Sequence, residues 1–250
     1  MGTRPLGMKV LSFLLSQDVE VDAVVPEDKD QYWQDTVKNL TTRLIEDDHD
    51  FLAAQKYDLI ISVNYNRLVK EPLLSSARLG CLNVHHSYNL RIRGRYSSTH
   101  AIILARKTGI WEHGTCLHYM AAELDAGQIV ESTSIKISEQ DTAQTLFQRC
   151  DEEALKIVER QLPKLLAGLK GETSDPNPEF FSYKKKDLPN KEINITLSSI
   201  EIYDLVRAMT FPPVEGPYIT LGGQRKYLYT KPEVGRICLL DAGEGRYVYM

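Results

Sequence analysis

The sequence predicts an α/β domain with a mostly parallel sheet, followed by a small α+β appendage. Three observations support this fold class. Short runs rich in β-branched residues alternate with helical patterns through the first part of the chain. Residues 58–63 form an apolar run that is typical of a strand buried on both faces. Residues 142–169 carry the apolar stripe of a long amphipathic helix that packs against a sheet.

The elements of the first domain follow from these patterns in chain order. Helical spacing predicts helices at residues 8–15 and 98–106, and Pro72 stands at the first position of another, where its fixed backbone angle suits a helix. Short apolar runs predict strands at residues 19–25, 58–63, 81–85, 115–120 and 129–137.

A change of composition after Glu172 predicts a domain boundary. Prolines at positions 176, 178 and 189 and three consecutive lysines at 184–186 interrupt the helical pattern. We therefore expect a catalytic domain at residues 1–180 and a C-terminal domain at residues 190–250. In the latter, Ser198 or Ser199 caps a helix that runs to Met209, and strands are predicted at residues 218–221, 227–230 and 247–249.

The first strand of the pattern is missing. A doubly wound domain usually opens with a buried strand that leads through a turn into the first helix, but residues 1–7 already have the character of that turn. The expectation is either a displaced start or a sheet that lacks a strand which its neighbours need for pairing.

Composition narrows the possible partners. The net charge of −4 and the sequence pI near 5.9 give no general basic surface for nucleic acid, so a small substrate is the better expectation. The four cysteines include no C-x-x-C pair, so neither a metal site nor a disulfide framework is predicted. The longest apolar stretch near the start is too short to span a bilayer, and we expect a cytoplasmic protein with no membrane partner.

Asn83 and His85 are the first candidates for chemistry. They stand two residues apart at the end of a predicted strand, so their side chains project from the same face. Ligands of open parallel sheets bind beyond the carboxyl ends of the strands, where this pair is expected. A neutral imidazole can accept a proton from an attacking amine, and an amide can donate to a developing oxyanion. The pair therefore suits acyl transfer.

Asp125 is the third candidate. It precedes Ala126 and Gly127, so a tight turn is expected to present its carboxylate. A carboxylate near His85 would orient the imidazole and favour its charged form. A structural role remains the alternative for each of these residues taken alone.

Three sequence blocks, taken in order, resemble the formyltetrahydrofolate-dependent formyltransferases. They are Asn83-Val84-His85-His86-Ser87, Arg93-Gly94-Arg95 and Glu123-Leu124-Asp125-Ala126-Gly127-Gln128-Ile129-Val130. The resemblance extends to about residue 170 and implies a Rossmann-like domain with Asn83, His85 and Asp125 as its catalytic triad.

The resemblance also implies the co-substrate and its binding loop. The co-substrate is N10-formyltetrahydrofolate, and no metal is required. The contacting loop would contain Tyr65, Arg67, Leu68 and Val69, whose backbone borders the folate pterin. The alternative for this loop is a plain connection from a strand to a helix.

The C-terminal segment resembles that of the sugar N-formyltransferase branch, which implies a dTDP-linked 3-amino or 4-amino deoxy sugar as the acceptor and a place in O-antigen lipopolysaccharide biosynthesis. Arg207 would meet a phosphate, and Phe211 or Tyr218 would stack on a base or sugar. Arg95 and His100 lie in blocks that should border the substrate. For these residues, ordinary packing is the alternative.

Two other functions remain open at this point. Methionyl-tRNA formyltransferase is one, although the acidic chain and the short appendage disfavour tRNA. A degenerate relative that binds a folate or a nucleotide-sugar without turnover is the other. The family resemblance also implies a homodimer, with the C-terminal strands as the interface.

Overall fold

The computed structural model describes residues 1–2, 4–26, 31–40, 43–168, 173–231, 236–240 and 247–249, and in these residues the predicted α/β class is confirmed. The helices are α1 (Arg4–Leu15), α2 (Gln31–Leu40), α3 (His49–Ala54), α4 (Ser97–Thr108), α5 (Ala143–Leu166) and α6 (Ser199–Met209). The strands are β1 (Ala23–Val24), β2 (Leu44–Ile45), β3 (Ile60–Val63), β4 (Cys81–His85), β5 (Ile92–Gly94), β6 (Glu112–Tyr119), β7 (Ile129–Lys136), β8 (Phe181–Tyr183), β9 (Tyr218–Leu221), β10 (Gln224–Lys231), β11 (Arg236–Leu240) and β12 (Tyr247–Tyr249).

The central sheet has the strand order β3-β4-β6-β7. β3 and β4 are parallel, so their carboxyl ends meet at one edge. β6 runs antiparallel to both β4 and β7, and the short connection between β6 and β7 suits an antiparallel pair. Two further parallel pairs, β1 with β2 and β5 with β8, lie outside this sheet. The sheet next to the predicted site is therefore mixed, and its parallel part is β3 with β4.

The predicted strand at residues 81–85 is found with the same bounds, and the other predicted strands of the first domain are shifted or shortened. The helix predicted from Pro72 is wrong in extent, because this segment forms only a single 3₁₀ turn, Leu73–Ser75. Several short elements escaped prediction: the four strands among them depend on pairing with other segments, and the two helices are short. They are α2, α3, β2, β5, β8 and β11.

The main core lies where α1 and α5 pack on the central sheet. Val10, Leu82, Leu117, Val158 and Leu162 are buried there in one cluster. Removing each such side chain from water contributes about 1.5–3 kcal/mol. This core packs against β4, which carries Asn83 and His85, and against its neighbour β6.

Met1 and Gly2 lie beside β3, and the Met1 amine donates to the Ile61 carbonyl oxygen at 2.8 Å. Gly2 forms an isolated parallel bridge with Val63 of β3, and α1 begins at Arg4. β1 and β3 are consequently not joined into one sheet.

The C-terminal part consists of α6 and an antiparallel sheet in the order β12-β11-β10-β9. The predicted helix to Met209 is confirmed. Ser198 is its N-cap and exchanges hydrogen bonds with Glu201. α6 packs against α4 of the first domain as well as against β10. No helix in the part of the chain described by the structure is long and apolar enough to cross a membrane.

Candidate active site

β4 places Asn83 and His85 in a cleft of about 670 Å³ at the carboxyl ends of β3 and β4. Both side chains are half-buried, as the two-residue spacing on one strand predicts. The other walls come from the loop after β3, the start of α4, the turn at Leu124 and Asp125, and the segment from Met209 to Glu215 after α6. The volume falls within the roughly 300–1,000 Å³ usual for sites of small ligands.

The tight turn before β7 brings Asp125 into the same cleft. Its backbone has a φ of 49°, a left-handed conformation that Asp tolerates better than most residues. The Gly94 N–H donates to Asp125 Oδ2 at 2.8 Å, and this oxygen lies 3.7 Å from His85 Nε2. Gly94 has a φ of 88°, and a Cβ there would lie 2.1 Å from the Tyr183 carbonyl oxygen, so the position requires glycine. The structure thus brings the three predicted catalytic residues together.

The hydrogen bonds of His85 define its tautomer. His85 Nε2 lies 2.8 Å from the Ile92 carbonyl oxygen, so this nitrogen donates its proton to the backbone. The lone pair of the neutral ring is therefore on Nδ1. The sequence-based expectation is that Asp125 orients the ring. In the structure the Ile92 carbonyl accepts the ring's hydrogen bond, and Asp125 Oδ2 lies 3.7 Å from the same nitrogen, where its charge faces the ring.

His118 is a member of the site that the sequence analysis overlooked. It lies on β6 directly opposite Asn83 of β4. Its Nδ1 donates to the Tyr119 carbonyl oxygen at 2.8 Å, so Nε2 accepts from the Asn83 amide at 3.2 Å. Nε2 also lies 3.8 Å from Asp125 Oδ1. Burial lowers the pKa of His118 to about 4, which keeps the ring neutral and able to accept this bond.

The predicted folate-binding residues all line the cleft. Their side chains are held in different ways: the Tyr65 hydroxyl donates to Asp47, and Arg67 forms a 2.8 Å ion pair with the same carboxylate. Leu68 is 52% exposed, whereas Val69 is buried. Because Asp47 draws the polar side chains of Tyr65 and Arg67 to itself, backbone groups of this loop are left to meet a ligand.

Two of the five predicted substrate residues also line the cleft, namely Arg95 and Phe211. Arg95 donates to the Asn66 carbonyl oxygen at 3.1 Å, which ties it to the loop after β3. Phe211 packs edge to face with Phe147, with 5.3 Å between ring centroids, and forms part of the opposite wall.

The predictions for His100 and Tyr218 need correction, because neither side chain lines the cleft. His100 is only 4% exposed and stacks on Tyr183 with 3.6 Å between ring centroids, and burial lowers its pKa to about 4. Tyr218 packs against Tyr227 and lies under the guanidinium of Arg225 at 4.5 Å. Both residues serve packing, which was their alternative assignment.

The phosphate-binding prediction for Arg207 is wrong, because this side chain is fully buried. Its Nε donates to Asp204 at 2.8 Å, and one terminal nitrogen donates to the carbonyl oxygens of Ser138 and Asp141, each at 3.1 Å. Arg207 therefore joins α6 to the loop that precedes α5. This link positions the segment after α6 over the cleft.

We expect Arg207→Met to lower the free energy of unfolding by about 2–3 kcal/mol, because the Ser138 and Asp141 carbonyls lose their donor and Asp204 keeps only Arg106 as a charged partner. Urea denaturation followed by circular dichroism measures this change. Arg225→Met, at an exposed arginine in the same part of the chain, should change the free energy of unfolding by less than about 0.5 kcal/mol. A loss below about 1 kcal/mol for the Arg207 variant would contradict the structural role.

A match between the sequence and a family model identifies the family of this chain. Residues 20–162 match the model of the formyl transferase family, and this match includes Asn83, His85 and Asp125. The chain belongs to the formyl transferase family. Within the described residues, no group of three or more His, Cys, Asp or Glu side chains is arranged to hold a metal ion.

Curated relatives of this formyl transferase include methionyl-tRNA formyltransferases. Methionyl-tRNA formyltransferase of Bacillus cytotoxicus is 30% identical over 181 residues, which are 72% of this chain and 55% of that relative. The chain thus spans about half the length of this curated relative.

Solved structures of similar fold include sugar N-formyltransferases. That of a Shewanella species has a TM-score of 0.76 and 18% identity, over 92% of this chain and 95% of that one. The N-formyltransferase of Helicobacter canadensis was solved with folinic acid and dTDP-3-aminofucose. It has a TM-score of 0.71 and 16% identity, over 99% of this chain and 96% of that one. At these identities the likeness establishes the fold.

Proposed function

We propose that this formyl transferase moves a formyl group from N10-formyltetrahydrofolate to the amino group of a nucleotide-linked amino sugar, such as a dTDP-linked 3-amino or 4-amino deoxy sugar. The observation that carries the proposal is the convergence of Asn83, His85 and Asp125 on one cleft. The similar Helicobacter structure, with its folinic acid and dTDP-3-aminofucose, supports both the donor and the acceptor class.

The cleft fits a folate donor. Its volume of about 670 Å³ is that of a small-ligand site, and the loop from Asn64 to Val69 lies along its wall. When bound, N10-formyltetrahydrofolate supplies the formyl carbon for transfer. Tyr65, Arg67, Leu68 and Val69 hold this loop beside the triad.

Each residue of the triad has a distinct task in the proposed reaction. The Asn83 amide donates to the formyl oxygen, which becomes negatively charged as the amine adds to the formyl carbon. His85 Nδ1 takes the proton of the attacking amine and delivers it to N10 as the bond between the formyl carbon and N10 breaks. The Asp125 carboxylate, 3.7 Å from the ring, stabilises the imidazolium formed between these steps.

The acceptor side of the cleft favours a small nucleotide-linked molecule. Its wall contains Phe211 and Val214, which offer two apolar surfaces to a base or sugar, beside Lys191, which forms a 3.2 Å ion pair with Glu215. The net charge of −4 supplies no extended surface for phosphates of tRNA. Methionyl-tRNA is the second candidate, because the similar Bacillus relative carries that name.

A panel assay tests the proposal. The full chain is incubated with N10-formyltetrahydrofolate and, separately, with dTDP- and UDP-linked 3-amino and 4-amino sugars and with methionyl-tRNA, and each acceptor is analysed by mass spectrometry. We expect a gain of one formyl group on a nucleotide-sugar. If only methionyl-tRNA is formylated, methionyl-tRNA and not a nucleotide-sugar is the acceptor. Calorimetric binding of the folate and a nucleotide-sugar without any product would indicate a non-catalytic relative.

Three broader features accompany the proposal. The product would serve surface polysaccharide synthesis, including O-antigen lipopolysaccharide, and the reaction would take place in the cytoplasm. We also propose a homodimer formed through the C-terminal strands. Light scattering on the full chain measures its mass, and a monomer at micromolar concentration would contradict this assembly.

His118 is expected to act as a positioning residue for Asn83. His118→Leu should lower kcat by about tenfold to a hundredfold and change the KM for the folate by less than about threefold, because Asn83 loses the acceptor that orients its amide. His118→Gln should restore much of the rate, since its side-chain oxygen can accept the same bond. Steady-state kinetics together with thermal melting separates this effect from a loss of fold. Equal losses in both variants would contradict the positioning role.

A further inference from the structure

The amino-terminal end of α4 opens into the active-site cleft. Its first three residues, Ser97, Ser98 and Thr99, all line the cleft. The first N–H groups of a helix have no acceptor within that helix, and the N-cap residue here, Tyr96, provides no side-chain hydrogen bond. Only from His100 onward does the backbone bond begin, and no other described residue accepts from the three N–H groups before it. Three backbone donors are thus left for a ligand.

Two hydroxyl groups add further donors at the same place. Ser97 is 9% exposed and Thr99 is 7% exposed, and both side chains belong to the wall of the cleft. Neither hydroxyl has a hydrogen-bond partner among the residues that the structure describes. Ser98 differs, because its hydroxyl lies 3.2 Å from His113 Nε2. Since buried polar groups are normally hydrogen-bonded, the two unpartnered hydroxyls indicate that a ligand binds here.

Arg95 places a positive charge next to these donors. Three lysine or arginine side chains are found among the described residues of the cleft wall, and two of them are already paired. Arg67 lies 2.8 Å from Asp47, and Lys191 lies 3.2 Å from Glu215. Arg95 is exposed and forms no ion pair with any described residue, and one of its terminal nitrogens donates to a backbone carbonyl. The rest of its guanidinium is available to an anion.

The number and kind of these donors suit a diphosphate. Three N–H groups, two hydroxyls and a guanidinium come from five consecutive residues, 95–99, at a helix end where the helix dipole favours negative charge. A carboxylate has only two oxygens and would leave most of the donors unused. A diphosphate has enough oxygens to accept from all of them.

The position of this helix end also matches the proposed acceptor. Gly94, whose N–H holds Asp125, precedes Ser97 by three residues, so their Cα atoms lie within about 11 Å of each other. The sugar of one bound molecule can span such a gap between phosphate and triad. Phe211, in the wall assigned to a base or sugar, packs against the buried cluster that includes Ala101 of α4. The helix end therefore lies between the triad and the acceptor wall.

We propose that the start of α4, together with Arg95, binds the diphosphate of the nucleotide-sugar. This inference rests on the proposed function, because it names the part of the acceptor that the site recognises. The first three N–H groups of α4 and the hydroxyls of Ser97 and Thr99 donate to phosphate oxygens, and Arg95 offsets part of the negative charge. With the diphosphate fixed at this end, the amine of the sugar is directed toward His85.

Calorimetric titration of the full chain with dTDP, UDP and folinic acid tests the site without any formyl transfer. Ser97→Ala combined with Thr99→Val removes both hydroxyls and nearly keeps the side-chain shapes. We expect the Kd of the diphosphate to rise by about tenfold to a hundredfold and that of folinic acid to change by less than about twofold. Thr108→Val is the matched control at the other end of α4, and it should change neither value by more than about twofold.

Arg95→Met is an independent variant at an exposed position, where no loss of fold is expected. It should raise the Kd of the diphosphate by about tenfold and make the Kd less dependent on salt concentration, because one charge is lost. Thermal melting of all variants should agree within about 2 °C.

The outcomes separate this site from the proposed function. If dTDP or UDP binds the unaltered chain and the double variant equally well, the diphosphate site is wrong while the acceptor class stands. If the double variant weakens folinic acid instead, the donors serve the glutamate of the folate, and the proposal is overturned. If neither dTDP nor UDP binds the unaltered chain, the nucleotide-sugar acceptor fails and this site fails with it.

Discussion

His85→Ala is expected to lower kcat for formyl transfer by about a thousandfold or more and to leave the fold intact. The ring is the only imidazole that the proposed mechanism uses for proton transfer, and its removal takes away the group that accepts the amine proton. Its side chain is 11% exposed and packs at the rim of the cleft, outside the main core, so Tm should fall by no more than a few degrees. Single-turnover kinetics with a saturating folate donor measures the loss.

Two controls make the His85 result specific. Arg225→Ala changes an exposed residue away from the cleft and should retain nearly full activity. Added imidazole should raise the rate of His85→Ala, because a small base can enter the space that the ring leaves. More than about a tenth of the original kcat in His85→Ala, without added imidazole, would show that the ring does not carry the proton.

The sequence was sufficient to predict that Asn83, His85 and Asp125 lie close together, because two of them depend on one local pattern. Asn83 and His85 share a face through the period of a strand, and the strand was recognised by its apolar run. Asp125 was marked by the Asp-Ala-Gly turn. A Cβ at Gly127 would lie 1.9 Å from the Tyr119 carbonyl oxygen, so close packing of the backbone gives the glycine its structural reason.

His118 could not be found in the same way, because its role depends on pairing between strands. It lies opposite Asn83 only because β6 runs antiparallel to β4 in a particular register. A shift of one residue would have turned its side chain to the other face of the sheet. The mixed direction of the sheet was itself not predicted, so no local spacing pointed to this neighbour.

Arg207 is the opposite case, a residue that the sequence analysis wrongly predicts to contact the substrate. The resemblance of the C-terminal segment implies a phosphate contact for Arg207, but its partners are Asp204 on the same helix and two carbonyls more than 60 residues away in the chain. Because its guanidinium is fully buried, Arg207 has a structural role. Whether one charged side chain becomes buried depends on how distant elements pack. The amphipathic pattern of α6 indicated a buried face, but the three-residue spacing to Asp204 does not distinguish a buried pair from an exposed one.

Asp125→Asn is expected to lower kcat by about a thousandfold with little change in Tm. The asparagine oxygen can still accept from the Gly94 N–H, so the turn keeps its hydrogen bond. The lost charge lies 3.7 Å from His85 Nε2, and at an effective dielectric constant of about 20 it stabilises a protonated ring by about 4 kcal/mol. About 4 kcal/mol corresponds to about a thousandfold in rate.

Asp125→Glu separates charge from geometry. The glutamate keeps the charge, but its longer side chain displaces the carboxylate from the Gly94 N–H, so we expect a smaller loss in kcat and a larger fall in Tm than for Asp125→Asn. Steady-state kinetics and thermal melting on both variants give the comparison. If Asp125→Asn loses less than about tenfold, or if both variants lose kcat in proportion to their fall in Tm, the carboxylate serves the turn and not the imidazolium.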